Sequence, residues 1–245
     1  MRMMIVSVSG TSGSGKTTLI EKIIRELIKR GVSVASVKHV HGNDILVPEG
    51  KDTSRHLRSG SSSVIGLSSN EMVLYLPGER DLDFAIGLLN RLTSPEVIIV
   101  EGFKHSMLPK IVVGDAVVEG QVILRCRRRS DCSQRAANLI EHEVKVERAL
   151  RSLPGLDCQK CERSSCRHLA EAVADGVAKE SECVNMSDGR TSIIVDGEHV
   201  PLGIFVSDLV ASTVTGLVRS LKEVGEPNDI EIRVHSKPPP GGEDR

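Results

Sequence analysis

The chain begins with alternating stretches of two hydrophobic patterns, one typical of strands and one typical of helices. Apolar, β-branched residues run through Met4–Val8 and again through Val97–Val100, and such runs favour strands that are buried on both faces. Between them, apolar residues recur at helical spacing in Leu19–Arg30 and Asp81–Leu92, which predicts two amphipathic helices. Strands that alternate with helices indicate an α/β fold with a parallel sheet.

Further elements follow from the same patterns along the rest of the chain. We expect short strands at Val32–Val37, Ser63–Leu67, Met72–Leu76, Pro109–Val113 and Gln121–Leu124, and a charged surface helix over Cys132–Leu150. The last third of the chain predicts a helix over Arg167–Asp175, a β-hairpin turning at Asp196-Gly197, a helix over Phe205–Val224 and a strand at Ile230–Val234.

A glycine-rich segment lies where the first strand meets the first helix. Residues 10–17 match the P-loop pattern G-x-x-x-x-G-K-S/T in its strand–loop–helix context. Glycines let successive backbone N–H groups turn inward as an anion-binding concavity, and the helix start adds its positive end. Lys16 is expected to reach the outer phosphates and the Thr17 hydroxyl to bind Mg²⁺. The sequence therefore predicts a nucleoside triphosphate site formed by Gly10, Thr11, Ser12, Gly13, Ser14, Gly15, Lys16, Thr17 and Thr18.

An acidic residue follows the most apolar strand. Glu101 comes directly after Val97–Val100, at the position where P-loop proteins carry the Walker-B acid that holds or orients Mg²⁺. That acid is usually Asp, and the additional methylene of Glu101 suits contact through water. We therefore predict that Glu101 acts with Lys16 and Thr17 in the catalytic part of the site.

Basic and acidic residues also follow the strand Val32–Val37. Lys38 and His39 come at its carboxyl end, where α/β sheets bind their ligands. Spacing alone leaves open whether His39 and His41 belong to a site or are ordinary histidines at a strand end. The next loop contains Lys51 and Asp52, which could face the phosphates, while a plain loop ending in a capped short helix is the alternative.

Composition limits the classes of function. The net charge is -1 and aromatic residues make up only 2%, with no Trp, so neither charge nor stacking surface favours nucleic acid. No apolar run is long enough to cross a membrane, and the first strand starts without a signal-peptide pattern. We expect a cytoplasmic protein whose six cysteines are metal ligands or free thiols rather than disulfides. The basic residues in Arg125–Arg129 are interpreted as a solvated face. The alternative is a docking patch for an anionic group, either on a partner or on a pterin phosphate.

Five motifs in order resemble the MobB family, the GTP-binding adapter proteins of molybdopterin-guanine dinucleotide biosynthesis. They are Gly-Thr-Ser-Gly-Ser-Gly-Lys-Thr-Thr-Leu-Ile-Glu-Lys (10–22), Val-Lys-His-Val-His (37–41), Gly-Lys-Asp-Thr-Ser-Arg (50–55), Val-Glu-Gly-Phe-Lys (100–104) and Pro-Lys-Ile (109–111). The resemblance covers the first 150 residues or so. It implies a P-loop fold that binds GTP and Mg²⁺ and hydrolyses GTP weakly, with Lys38, His39, Lys51 and Asp52 lining the site. It also implies homodimers that work with a MobA-like guanylyltransferase and serve molybdenum or tungsten enzymes. The chain lacks Asn-Lys-x-Asp, so GTP over ATP comes from the resemblance alone.

Four later cysteines have the spacing of a metal site. Cys158, Cys161, Cys166 and Cys183 follow C-x2-C-x4-C-x16-C after Leu153-Pro154-Gly155. Four thiolates suit either Zn²⁺ or an iron–sulfur cluster, and their chemistry leaves both open. The surrounding residues resemble the small 4Fe–4S domain of corrinoid iron–sulfur proteins and RnfB-type electron carriers. That resemblance implies a 4Fe–4S cluster, with zinc as the alternative, although Gln159 and Glu162 stand where the family often has Gly.

The predicted organisation has four parts. Residues 1–150 form the P-loop GTP-binding domain with a sheet flanked by helices, and residues 151–185 form the four-cysteine iron–sulfur module. Residues 186–236 form a small α+β unit, and residues 237–245 a disordered tail rich in Pro and Gly. The leading hypothesis is a GTP-binding accessory protein of molybdenum or tungsten cofactor maturation. The alternatives are a nucleotide-dependent metallochaperone, in which His39, His41 or the cysteines handle metal, and a redox-regulated electron-transfer module.

Overall fold

The computed structural model describes residues 3–40, 52–127, 129–187, 190–222, 225 and 227–234, with side chains omitted at 129–131. The chain divides into two compact units, residues 1–147 and 148–245. Lys51, His41, Arg128 and the predicted tail 237–245 lie outside the described residues. No helix within the described ranges is long and apolar enough to span a bilayer.

A five-stranded parallel sheet forms the centre of the first unit. Its strands stand in the order β2 (Val34–Lys38), β5 (Val97–Glu101), β1 (Met4–Gly10), β6 (Lys110–Val113) and β7 (Val122–Cys126). Each neighbouring pair is parallel. The predicted α/β fold is thus confirmed, with the strand that precedes the P-loop in the middle of the sheet.

Helices cover both faces of this sheet. α1 (Lys16–Lys29) and α4 (Arg129–Ser152) pack on one face, and α3 (Leu82–Thr93) packs on the other. The first four residues of β5, Val97–Val100, are completely buried, as expected for a strand covered on both sides. α2 (Asp52–Arg58) contacts a separate antiparallel hairpin of β3 (Val64–Leu67) and β4 (Met72–Tyr75).

Two predictions about α1 and α4 need correction. The helical pattern in Leu19–Arg30 predicts an apolar stripe that includes Ile28. That residue is 59% exposed, while the buried residues of α1 are Leu19, Ile20, Ile23 and Leu27. The sequence predicts α4 as a charged surface helix with Leu139, Val146 and Leu150 pointing inward. Val146 is completely buried, but so are Ala136, Ala137 and Ile140, so the helix packs on the sheet more extensively than predicted.

The second unit contains short elements. α5 (Cys166–Ala174) buries Leu169, the hairpin of β8 (Ile193–Val195) and β9 (Glu198–Val200) follows, and α6 (Ile204–Arg219) comes last. The hairpin turn at Asp196-Gly197 has positive φ at both residues, 52° and 85°, which confirms the predicted two-residue turn.

The predicted strand at Ile230–Val234 is wrong. Its residues alternate apolar and charged, but in the structure they form no strand. An extended segment needs a partner edge to form a ladder, and β8 and β9 pair with each other. The predicted helix Phe205–Val224 also ends earlier, at Arg219.

Candidate functional site

The P-loop has the backbone conformation that its glycines predict. β1 ends at Gly10, and Gly13 and Gly15 then adopt positive φ of 70° and 89°. α1 begins directly afterwards at Lys16. Left-handed conformations are open to glycine at little cost, so this turn brings backbone N–H groups together at the positive end of a helix. The loop is shaped to receive an anion.

Gly10 is required for a steric reason. A Cβ on this residue would lie 2.7 Å from the Val113 carbonyl oxygen and 2.8 Å from Ser14 Oγ. Ser14 Oγ is itself buried, and it finds no hydrogen-bond partner among the described residues. A buried hydroxyl without a partner is costly, so a phosphate oxygen beside the loop would satisfy it.

Lys16 folds back over the loop. Its ammonium donates a hydrogen bond to the Thr11 carbonyl oxygen at 2.7 Å. The side chain is therefore held on the concave side of the P-loop, from which a bound phosphate would attract it away from a single neutral carbonyl.

Thr17 and Glu101 are 84 residues apart in sequence and in direct contact. Thr17 Oγ1 donates a hydrogen bond to Glu101 Oε1 at 2.9 Å. The contact arises because β5 lies beside β1, with Val8 in register with Glu101. A hydroxyl and a carboxylate at this distance offer the two oxygen ligands that Mg²⁺ takes in P-loop proteins. The structure thus brings together two residues that the sequence analysis assigned to one Mg²⁺ site.

A polar network that the sequence reasoning missed fixes the turn after Glu101. Ser7 Oγ and Ser9 Oγ donate hydrogen bonds of 2.7 and 2.9 Å to the Gly102 carbonyl oxygen. The Gly102 N–H donates to Val8 O at 3.0 Å, and its φ is +96°. Both serines are buried. Their alternation with valines in an otherwise apolar strand was the signal that could have revealed this network.

The residues at the end of β2 are brought to the same edge. Lys38 is in register with Glu101 on the adjacent strand, and the His39 N–H donates to the Glu101 carbonyl oxygen at 3.0 Å. The His39 ring packs on Phe103 with 4.5 Å between centroids. Asp52 begins α2, where its carboxylate lies 3.5 Å from the Arg55 guanidinium.

Lys110, which belongs to the Pro-Lys-Ile motif, is a buried cation, and the sequence analysis predicted neither its burial nor a role for it. It is completely buried at the start of β6, and its ammonium donates to the Ser106 carbonyl, to Ser106 Oγ at 3.0 Å and to Leu108 O at 3.3 Å. Burial lowers the pKa of Lys110, while the charge of Glu119 acts to raise it. Its bonds tie together the segment that connects Glu101 to the next strand.

A cavity of about 260 Å³ adjoins the P-loop on the side away from Glu101. It is lined by Ser14, Gly15, Thr18, Leu19 and Lys22, by Val113 and Gly114 after β6, and by Cys126, Arg127 and Cys132. Arg125 is half-buried rather than part of a solvated face, and it donates to the carbonyls of Gly114 at 3.0 Å and Ala116 at 3.4 Å. The basic run thus includes a structural residue beside this cavity.

Two of the six cysteines form a disulfide, which corrects the expectation of ligands or free thiols. Cys126 ends β7 and Cys132 lies in the first turn of α4, so the fold brings their Cα atoms to 5.7 Å. That spacing lies within the range of about 4.4–6.8 Å over which disulfides form. Both residues are buried.

The other four cysteines, Cys158, Cys161, Cys166 and Cys183, are free thiols, and Cys158 is exposed. The Cys166 N–H donates to Asp157 Oδ1 at 2.6 Å, and Asn185 Nδ2 lies 3.9 Å from Cys158 Sγ. Across the described ranges, no three His, Cys, Asp or Glu side chains are arranged to hold a metal ion. Four thiols are chemically suited to an S₄ site. In the structure, however, the four sulfurs do not converge on one point.

Comparison with known proteins gives a consistent picture. The family model for "Molybdopterin guanine dinucleotide synthesis protein B" matches residues 5–130, and that for "Putative Fe-S cluster" matches residues 153–184. The chain is 29% identical over 246 residues to the Methanocaldococcus jannaschii protein named "Putative molybdopterin-guanine dinucleotide biosynthesis adapter protein", covering 95% of this chain and 97% of that one.

Bacterial relatives match the first part of the chain. The Haemophilus influenzae molybdopterin-guanine dinucleotide biosynthesis adapter protein is 41% identical over 112 residues, which are 44% of this chain and 62% of that protein. The crystal structure of Bacillus subtilis MobB aligns with 25% identity and a TM-score of 0.46, covering 57% of this chain and 96% of that one. Since the family model spans just over half of the chain, the chain belongs to the MobB family of molybdopterin-guanine dinucleotide biosynthesis adapter proteins.

Proposed function

We propose that this protein binds GTP with Mg²⁺ at its P-loop and hydrolyses it slowly while acting as an adapter in molybdopterin-guanine dinucleotide synthesis. The observation that carries the proposal is the 2.9 Å contact between Thr17 and Glu101 beside the P-loop turn. It supplies the two oxygen ligands of a P-loop Mg²⁺ site within the segment that matches the family.

Each residue of the site has a chemical role in this proposal. Backbone N–H groups of residues 10–18 hold the phosphates, and Lys16 exchanges its bond to Thr11 for the outer phosphates. Bound Mg²⁺ neutralises phosphate charge when present. Glu101 orients the hydroxyl of Thr17 and water, and Lys38 places a further positive charge at the same edge. Slow hydrolysis is proposed because the motifs resemble those of the MobB family.

The functions that the relatives' names state suggest a partner protein for this chain. They are adapters of molybdopterin-guanine dinucleotide biosynthesis, and guanylyl transfer is the step at which a guanine nucleotide enters that product. We therefore propose a MobA-like guanylyltransferase as partner and the molybdenum or tungsten enzymes that receive the cofactor as recipients. We also propose that the protein is a homodimer and that it acts in the cytoplasm.

The four-cysteine module is proposed to hold a 4Fe–4S cluster. Support comes from four free thiols at C-x2-C-x4-C-x16-C spacing and from the family match over residues 153–184. Cys158, Cys161, Cys166 and Cys183 would be the ligands. After anaerobic purification, about four irons and four sulfides per chain are expected, and Cys166→Ala should remove them. One zinc per chain without sulfide would contradict the cluster.

Deletion of the gene followed by analysis of the pterin cofactor tests the adapter role. The guanine dinucleotide form and the activity of molybdenum or tungsten enzymes should fall, and the wild-type gene, but not Lys16→Ala, should restore them. Unchanged dinucleotide cofactor and unchanged enzyme activity in the deletion strain would overturn the proposal.

A further inference from the structure

The cavity beside the P-loop lies at the point in the sheet where the strand order reverses. From β1 the chain passes through α1 to β2, on the β5 side of the sheet, whereas from β6 it passes to β7 on the opposite side. β1 and β6 are neighbours, so connections leave this pair in opposite directions. Ligands of open α/β sheets bind in the crevice at the carboxyl ends of such a pair. The cavity occupies that crevice.

The cavity is continuous with the phosphate loop and is small. Ser14 and Gly15 belong both to the loop and to the cavity lining. Its volume of about 260 Å³ lies just below the roughly 300–1,000 Å³ of pockets that bury whole drug-sized ligands. A ligand whose phosphates bind at the loop would place only its base and sugar here.

The charges at the cavity favour one kind of base. Lys22 and Arg127 are its cationic lining residues, and Asp115 lies 3.9 Å from the Arg127 guanidinium. Guanine presents two acceptors, O6 and N7, on one edge, whereas adenine presents a donor beside N7. Donors on Arg127 therefore match guanine better than adenine.

A covalent bond holds this wall of the cavity. Cys126 and Cys132 both line the cavity, and their disulfide joins the end of β7 to the first turn of α4. Arg127 follows Cys126 directly, so the bond fixes the backbone next to it. In the proposed cytoplasmic setting, disulfides are usually transient or redox-sensing. This bond lies at the edge of the core of the sheet face and lines the cavity at the same time.

We propose that this cavity is the guanosine subsite of the nucleotide site, with Arg127 as its base-selecting residue and the Cys126–Cys132 disulfide as a redox-sensitive support of its wall. The inference rests on the proposed nucleotide binding and adds where the base lies and what regulates it. A dithiol reduces the bond in a balanced exchange: two electrons and two protons pass to the two sulfurs, two thiols form, and the dithiol closes into its own disulfide. Reduction releases β7 from α4 and weakens binding of the nucleoside without affecting the phosphate loop.

The test compares GTP, ATP and inorganic tripolyphosphate on the full chain in its oxidised and dithiol-reduced forms. GTP should bind the oxidised protein more tightly than tripolyphosphate. Reduction should lower the affinity for GTP at least about tenfold, the effect expected if only about a tenth of the molecules keep the cavity in its binding conformation. The affinity for tripolyphosphate should not change. Reoxidation should restore GTP affinity.

Two variants separate the causes. The double variant Cys126→Ser, Cys132→Ser should bind GTP as weakly as the reduced protein, and the dithiol should not change its affinity further. Because the variant keeps the four free cysteines, this result would exclude an effect of the reagent on them. Arg127→Gln, at an exposed position, should lose the preference for GTP over ATP and keep tripolyphosphate binding. Equal GTP affinity in oxidised and reduced protein, or GTP no tighter than tripolyphosphate, would overturn this inference alone. Failure of all three ligands to bind would instead overturn the proposed function.

Discussion

The Thr17 hydroxyl donates a 2.9 Å hydrogen bond to the Glu101 carboxylate, across the boundary between the P-loop helix and the neighbouring strand. In P-loop proteins a hydroxyl and an acid in these two positions share one Mg²⁺ ion. In the proposed function the pair links phosphate binding to hydrolysis, and each partner can be tested by itself.

Glu101→Gln should impair hydrolysis more than binding. The amide keeps the shape of the side chain but loses the charge that orients Mg²⁺ and water, so kcat for GTP should fall about 100-fold. The affinity for GTP should change less than about tenfold, because the loop and Lys16 remain. Steady-state phosphate release and calorimetric titration measure the two effects. Glu21→Gln, at an exposed position on α1, is the control, and wild-type turnover by Glu101→Gln would contradict this role.

Gly10→Ala should destabilise the protein. The new methyl group would lie 2.7 Å from the Val113 carbonyl oxygen, which belongs to backbone and cannot move aside easily. Overpacking of this kind costs about 1–3 kcal/mol. Urea denaturation should detect the loss. The matched control is Gly87→Ala within α3, where an added Cβ meets nothing within 4 Å and should raise stability by about 0.5–1 kcal/mol.

Much of the fold follows from sequence, and these positions show why. Gly10, Thr17 and Glu101 were predicted because P-loop chemistry fixes residue type and spacing locally. The disulfide at Cys126, the hydrogen bonds of Ser7 to Gly102 and the buried Lys110 were missed, since each depends on which distant segments the sheet order brings together. Strand order is not encoded in any one segment, and neither is the pairing of Cys126 with Cys132.

Replacing residues after the first two cysteines by Gly should stabilise the metal-free second unit. Gln159 and Glu162 have φ of 61° and 62°, in the left-handed region that costs a non-glycine residue about 1–2 kcal/mol. Gln159→Gly and Glu162→Gly should each raise the free energy of unfolding by up to about 1 kcal/mol. Lys160→Gly is the control: its φ is not positive, so the change should lower stability. Thermal unfolding measures these changes. A loss of stability in Glu162→Gly would contradict the claim that the left-handed backbone at Glu162 is strained.

The ion pair between α1 and α4 predicts a dependence on pH. Arg30 Nη1 lies 2.6 Å from Glu141 Oε2, and both side chains are about a fifth exposed, 19% and 21%. Hydrogen bonds from Lys145 and Arg30 lower the pKa of Glu141. Because the folded pKa lies below the unfolded one, the stabilisation is present above the unfolded pKa and is lost as the pH falls through the folded pKa.

Glu141→Gln should therefore lower the stability at pH 7 by about 1 kcal/mol, a value reduced by the partial exposure of the pair. The difference between variant and wild type should disappear in acid, below the folded pKa. Denaturant titrations at several pH values measure it, with Glu21→Gln as an exposed control pair whose change should stay near zero. A difference that persists unchanged in acid would contradict the electrostatic explanation.

Calorimetric titration of Mg-GTP into the full chain and into Lys16→Ala tests the central claim most directly. Lys16 sits over the loop through its 2.7 Å bond to Thr11, so removing its ammonium should abolish measurable binding while the fold, followed by circular dichroism, is kept. The wild type should bind one GTP per chain, and ATP more weakly. Equal GTP affinity in wild type and Lys16→Ala would contradict nucleotide binding at the P-loop.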